Sequence, residues 1–525
     1  MTATSSLRIG YLVPEFPGQT HVMFHRELEE LAALGVEVDV VSTRRPTPAV
    51  QPWNDQARRR TTYLFPPTLA DLIPTLTLLL GAGPRAWRRV IAAVRRSERP
   101  ASGRLSLLAA GVLGTRLAVL SRRRGWAHLH VHSAASAADV ARFAALVGGP
   151  TYSLTLHGPL SDYGPDQAAK WQGAAFGIVI TRRLQRELHE QLDGHLPNRI
   201  AVVGMGVQAG AFTRPDPYRP WPGSGPVEIF SCGRLNPAKG HLDLIEAVRL
   251  LRENGVDARC AIAGEDEFGG RGYRLTLQQR ISELGLTDAV RLLGSVSEDS
   301  VRTHLHRAHV FALASLDEPL GVAIMEAMSA GTPVVTTAAG GVPELVTDEV
   351  DGVLVPPRAP KELAGAMIRI LNDPALATRL STAGAAAAVR RAGGPSSAET
   401  LISLIRTRES RTASARLERR RPLQRLAADG QRGVRLGRDH HGQVVRPHLI
   451  DEGGRRRLVE RLGLPIAVAE HGGHRLDRRR VAEDLIDVDT VEDELRHGQP
   501  TAERRDPVPA ADLLDPGQQA AHHGR

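Results

Sequence analysis

Ser315-Leu316-Asp317-Glu318-Pro319-Leu320-Gly321-Val322-Ala323-Ile324-Met325-Glu326-Ala327-Met328-Ser329-Ala330-Gly331-Thr332-Pro333-Val334-Val335 decides the fold. The apolar run His309 to Leu313 reads as a strand ending near Ala314, a loop then carries Glu318, Gly321 opens a helix that bears Glu326, and Val334 to Thr336 starts the next strand. Strand, loop, helix and strand in roughly 30 residues make one βαβ unit of a parallel sheet. In such a sheet the loops beyond the strands' carboxyl ends border a crevice, so both carboxylates can face it. Carboxylates accept hydrogen bonds from vicinal sugar hydroxyls, and the free amides of a helix start, here Gly321 and Val322, stabilise a diphosphate. An isolated pair of glutamates at this spacing would suggest only solvated helix charges or a structural ion pair. Here Glu326 sits among Val322, Ile324, Met325, Ala327 and Met328, where an unpaired carboxylate is costly.

The same alternation extends in both directions. Leu7 to Val13, Val36 to Val41, Thr151 to Leu156, Ile178 to Ile180 and Ile200 to Val203 are strand candidates in the first half. Val227 to Cys232, Arg259 to Ala263, Val290 to Leu293, His309 to Leu313 and Val334 to Thr336 follow in the second. A proline-rich interval, Thr213 to Pro226, separates the halves and reads as a linker. The expected division is a first domain over 1–206, a linker over 207–226 and a second domain over 227–392. Each domain is an α/β layer structure, and 525 residues at 42% hydrophobic content suffice for two cores.

Three further segments end strands of this pattern. Gly233-Arg234-Leu235-Asn236-Pro237-Ala238-Lys239-Gly240 puts two cations at a strand's carboxyl end: arginine is a planar fork and lysine a compact charge, both suited to phosphate oxygens. In the first half, Leu7 to Val13 runs into Pro14-Glu15-Phe16-Pro17-Gly18-Gln19-Thr20-His21, where Gly18 permits close backbone approach. Thr155-Leu156-His157-Gly158 ends another strand. His128, His130 and His132 alternate along one strand, and period-two spacing sets them in a row on one face, unlike a tetrahedral zinc site.

In this order the segments resemble those of family-4 retaining glycosyltransferases of the GT-B fold, and the first loop is similar to that of colanic-acid and exopolysaccharide enzymes. The resemblance covers about residues 7 to 392. It implies two Rossmann-like domains facing a cleft, the acceptor held mainly by the first and a nucleotide-sugar donor by the second. Glu326 would hold the nucleotide ribose and Glu318 the donor sugar. Arg234 and Lys239 would take the diphosphate in place of a metal, and His157 would reach the transferring sugar. Gly18, Gly233, Gly321 and Val322 would approach the donor phosphates. Pro319 and Leu320 depart from the glycine and aromatic usual after the first glutamate. No cofactor beyond the donor substrate is implied. The expected acceptor is a glycan or lipid-linked glycan. A GT-B epimerase, a glycogen-type enzyme and a catalytically silent scaffold are the rival readings of the same crevice.

The net charge of +9 and pI near 10.1 invite nucleic acid or an anionic membrane as partners. Aromatic residues are not interleaved with the basic block after Arg406, so no base-stacking platform is expected and specific nucleic-acid binding is disfavoured. Leu69 to Leu80 is too short to span a bilayer and carries Asp71 and Pro74. With Arg85, Arg88 and Arg89 following, it could instead rest on anionic lipid, and a solvated lobe edge fits equally. Only Cys232 and Cys260 are available as thiols, and the N-terminus reads as a strand without a leader, which points to a cytoplasmic chain with a possible peripheral membrane attachment. After about Gly393 there is no Phe, Tyr, Trp or Lys and much Arg, so this tail reads as a disordered appendage or an out-of-frame translation unable to build a core.

Overall fold

The computed structural model describes residues 7–18, 21–46, 51–207, 209–266 and 272–410. Seven strands build the first sheet: β1 (Arg8–Glu15), β2 (Glu37–Arg44), β3 (Thr62–Tyr63), β4 (His128–Val131), β5 (Tyr152–Leu156), β6 (Gly177–Val179) and β7 (Ile200–Val202). Six build the second: β8 (Val227–Cys232), β9 (Ala258–Ala263), β10 (Val290–Gly294), β11 (Val310–Leu313), β12 (Val334–Thr337) and β13 (Val353–Val355). All pairings are parallel. The central strands are buried along their length, β4, β5, β11 and β12 completely, which is why they read as continuous apolar or hydroxyl-bearing runs. The two-residue β3 had no such run to announce it, and the edge strand β13 only the three residues Val353-Leu354-Val355.

Strand order places the functional loops. The first sheet runs β3-β2-β1-β4-β5-β6-β7 and the second β10-β9-β8-β11-β12-β13, so each order reverses once, between β1 and β4 and between β8 and β11. Loops leaving the carboxyl ends of strands on either side of a reversal diverge and leave a crevice. Those loops are the ones that follow Glu15, Val131, Cys232 and Leu313.

Between β3 and β4 the chain makes a helical excursion, Leu69–Gly81, Gly83–Arg95 and Ala101–Arg124. By length and composition Ala101–Arg124 could cross a membrane. One face of it is packed, where Leu107, Ala110, Leu117 and Ala118 join the first domain's core, while Leu105, Leu108 and Val112 are exposed. Gly114 lets it approach the helix Ser136–Leu146 so closely that an added Cβ would lie 2.7 Å from Val140 O.

Two expectations about the connecting segments require correction. The expected linker, 207–226, packs on the second domain: Phe212 is fully buried, Arg214 donates to the carbonyls of Ala330, His306 and Leu305, and the Tyr218 hydroxyl donates to His309 O. Nor is everything after Gly393 without a packed partner. Residues 397–410 are helical, and Ala398, Leu401, Ile402, Leu404 and Ile405 bury against the core of the first domain, with Arg408 Nη1 donating to Thr151 Oγ1 at 2.7 Å. The chain therefore crosses back to the domain in which it began. The rest of the arginine-rich tail, 411–525, lies outside the described residues.

Leu401 is completely buried. Leu401→Ala should lower unfolding free energy by about 2–5 kcal/mol, read as a fall in denaturant midpoint. An unchanged midpoint would mean that 397–410 does not pack on the first domain.

Candidate active site

The four loops at the two strand-order reversals meet around one cavity of about 620 Å³. From the second domain, Gly233, Arg234 and Lys239 follow β8, and Glu318, Gly321, Val322, Ala323 and Glu326 follow β11. From the first domain come His21, His132, His157 and Tyr163. Of the residues singled out from sequence, Glu318, His157, Arg234, Lys239, Glu326, Gly233, Gly321 and Val322 all line this space. Gly18 does not. Its carbonyl accepts the His21 N–H at 3.2 Å, and a Cβ on it would lie 2.9 Å from the His21 ring, so it makes room for that histidine. Gln19 and Thr20 lie outside the described residues.

Local rules hold the second-domain wall. Gly321 has φ +93°, and a Cβ there would fall 2.8 Å from Ile324 Cδ1, so the chain turns into the helix Val322–Ser329 with no side chain to cap its first amides. Those amides border the cavity. Glu318 is 6% exposed; Lys239 Nζ donates to its Oε2 at 2.6 Å and Ser315 Oγ at 3.1 Å. The backbone of the Gly340–Gly341 pair packs directly on the Glu318–Pro319 backbone, where a Cβ at either glycine would lie 2.2 Å from a carbonyl oxygen.

Glu326 is paired across the cleft. Arg26 Nη2, from the helix Val22–Ala33 of the first domain, lies 2.9 Å from Glu326 Oε1 and 2.9 Å from Glu298 Oε2. Burial raises the Glu326 carboxyl above its ordinary value, and the guanidinium opposes that shift. Two more contacts join the domains. The Glu344 carboxylate accepts the backbone N–H groups of Arg182 at 2.8 Å and Arg183 at 2.7 Å, capping the helix Arg182–Leu192, and Arg183 Nη1 pairs with Asp317 Oδ1 at 2.6 Å.

The histidine row divides by position. His128 and His130 are buried, with ring nitrogens 2.8 Å from Ser153 Oγ, and His130 Nε2 is 2.9 Å from Thr155 Oγ1, so these two tie β4 to β5. His132, one step beyond β4, reaches the cavity, where its Nδ1 lies 3.1 Å from His157 Nε2. Burial pushes the His157 imidazole down to about 3 and the His21 imidazole down to about 4, with neighbouring His132 and Arg234 acting in the same direction. Both rings are neutral at pH 7. Sequence reasoning missed Arg26, Glu27 and Glu298, and it quoted His21 without giving it a task. Phe24 to Leu31 carries Arg26, Glu27, Glu29 and Glu30 among three apolar residues, so nothing in that stretch set Arg26 and Glu27 apart.

Two parallel-sheet domains with their strand ends facing a shared cleft make this the GT-B architecture. Residues 222–387, most of the second domain, match the family of glycosyl transferases group 1. The chain is 38% identical over 172 residues to the putative colanic acid biosynthesis glycosyltransferase WcaL of Escherichia coli, covering 32% of this chain and 40% of that protein. It is 30% identical over 252 residues to the D-inositol 3-phosphate glycosyltransferase of Streptomyces griseus, covering 42% and 53%. The chain thus spans only about half or less of the length of these relatives. Among solved structures, sucrose-phosphate synthase from Thermosynechococcus elongatus superposes with a TM-score of 0.55 at 21% identity over 73% of this chain and 94% of that one. Anabaena HepE in complex with UDP-glucose superposes with a TM-score of 0.55 at 17% identity over 78% and 100%.

The buried histidines set a sign for pH dependence. Burial holds His128 and His157 down to about 3 and His21 and His241 down to about 4, whereas an unfolded imidazole titrates near about 6.5. Between these values the unfolded chain binds protons that the folded chain refuses, so stability is full above about pH 6.5 and falls on acidification. Chemical denaturation at pH 7.5 and pH 5 should show the lower midpoint at pH 5. Equal midpoints would show that these rings are not held neutral.

Proposed function

We propose that the chain is a metal-independent, retaining glycosyltransferase that moves a sugar from a nucleoside-diphosphate donor to a glycan or lipid-linked glycan. The single observation behind this reading is the convergence of Arg234, Lys239, Glu318, Glu326 and the uncapped start of the helix Val322–Ser329 on one cavity. Cations and helix amides suit a diphosphate, and the carboxylates suit the hydroxyls of the groups on either side of it. In this reading Glu326 holds the ribose and Glu318 the donor sugar, with Arg26 and Lys239 paired to them in this structure.

In transfer with retention, the bond from the anomeric carbon to the departing phosphate oxygen breaks as the bond to the acceptor oxygen forms on the same face. The acceptor proton passes to the phosphate. Negative charge grows on the diphosphate, so fixed cations aimed there lower the barrier. His157 stands at the first-domain side of the cavity, where the transferring sugar would lie. WcaL's putative role in colanic acid biosynthesis and the UDP-glucose bound to HepE support a nucleotide-sugar donor and a role in exopolysaccharide or cell-envelope glycan synthesis. Residues 397–410 form a helix that crosses back to the first domain's core, which supports an intact two-domain transferase over a silent scaffold.

The same reading places the chain in the cytoplasm, peripheral on an anionic membrane. The helix Leu69–Gly81 turns Leu69, Leu72, Ile73, Leu76 and Leu80 to solvent, one stripe at helical spacing, and the next helix exposes Trp87 and Ile91 beside Arg85, Arg88 and Arg89.

A panel of uridine and guanosine diphosphate sugars tested by thermal shift should yield one that stabilises the protein, by about 2.7 kcal/mol at a hundredfold excess over its Kd. Lys239→Ala should then reduce transfer by about 10² to 10³. A panel without any stabilising member, or a Lys239→Ala variant as active as the parent, would count decisively against this function.

A further inference from the structure

Behind His157 lies a chain of buried polar groups that the donor site does not use. Tyr11 on β1 donates its hydroxyl to Glu27 Oε2 at 2.5 Å. The same oxygen lies 2.9 Å from His132 Nε2, a buried atom that no hydrogen bond of good angle satisfies. His132 Nδ1 in turn lies 3.1 Å from His157 Nε2, and His157 lines the cavity. Tyr11, Glu27 and His132 are 0%, 3% and 3% exposed. Ser397, at the start of the returning helix, also hydrogen bonds to the Glu27 carboxylate.

We propose that Glu27 and His132 are positioning residues that fix the proton of His157 on Nε2, so that His157 offers the cleft its bare Nδ1 as a hydrogen-bond acceptor. The direction of each bond follows from the carboxylate. Burial alone would raise Glu27, but His132, Tyr11 and Ser397 more than offset it and leave the carboxyl below its ordinary value. Burial holds the Tyr11 phenol well above its own, so it remains a donor. An ionised carboxylate only accepts, so His132 must carry its proton on Nε2. With that single proton on His132, its Nδ1 is a lone pair, and the one proton between the two rings belongs to His157 Nε2. A second proton on His132 would reverse this last bond and turn His157 into a donor at Nδ1. The groups around His132 are Tyr11 from β1, His130 from β4, Phe24 and Glu27 from the helix Val22–Ala33, and His157 beyond β5. Glu27 is the only carboxylate among them, and no other group named here can pull the proton to Nε2.

The proposal deepens the glycosyltransferase reading, since its purpose is a fixed acceptor at the edge of the transferring sugar, but the tautomer can be measured without turnover. In the full chain with ¹⁵N-labelled histidine, the His157 ring signals, assigned by their loss in His157→Gln, should show a protonated Nε2 and an unprotonated Nδ1. In Glu27→Gln the Nδ1-protonated form should appear. A parent protein with His157 protonated on Nδ1 overturns the proposal even if Glu27→Gln does not fold, and so does a folded Glu27→Gln variant with the parent pattern. With a donor in hand, Glu27→Gln should reduce kcat by about 10- to 100-fold, the usual effect of removing the outer partner that orients a histidine. Donor KM should change little, and the acidic limb of the pH profile should move; an unmoved limb would assign Glu27 a purely structural role. A parent enzyme that transfers no sugar would defeat the glycosyltransferase reading and leave the tautomer result standing.

Discussion

Glu326 is a carboxylate only 9% exposed, and the cation that compensates it belongs to the other domain. A buried charge with one partner removed is left uncompensated, at a cost of about 3–5 kcal/mol. The pairing of Arg26 with Glu326 and Glu298 therefore does more than decorate the cleft: it makes the charge state of the candidate ribose-binding group depend on how the two domains face each other. The Phe212 ring, 5.4 Å from the Arg26 guanidinium, adds an aromatic face to the same cation. At another domain contact, Glu344 offers both carboxylate oxygens to the start of the helix Arg182–Leu192, so two carboxylates of one short segment, 326 to 344, hold the first domain.

The second-domain wall was legible because it is local. Strand, glutamate loop, helix-opening glycine and second glutamate all fall within one βαβ unit, and the basic segment after β8 adjoins it through a strand order that parallel sheets favour. The reversal of that order at β8 and β11 then brings the two segments together. His157 was legible as a strand-end residue too, following β5, the neighbour of β4 in the first sheet.

What escaped has a physical cause in each case. Arg26 and Glu326 are 300 residues apart, and the residue spacing along one helix does not announce a partner in another domain. Gly18 suggested close approach of a ligand, but a glycine marks any crowding neighbour, and here the neighbour is the His21 ring. The returning helix carried a readable signal: Ala398, Leu401, Ile402 and Ile405 recur at helical spacing. The arginine-rich, aromatic-free composition that follows outweighed it, because composition averaged over a long tail dilutes a stripe of four residues.

That helix makes the first domain discontinuous along the chain. During synthesis β1 to β7 leave the ribosome first, yet the layer formed by Ala398, Leu401, Ile402, Leu404 and Ile405 arrives only after the whole second domain has been made. Until then one flank of the first core is open to water, and Glu27 lacks its Ser397 partner. The second domain is in effect an insertion within the first, so the lobe translated earliest is the last to be completed.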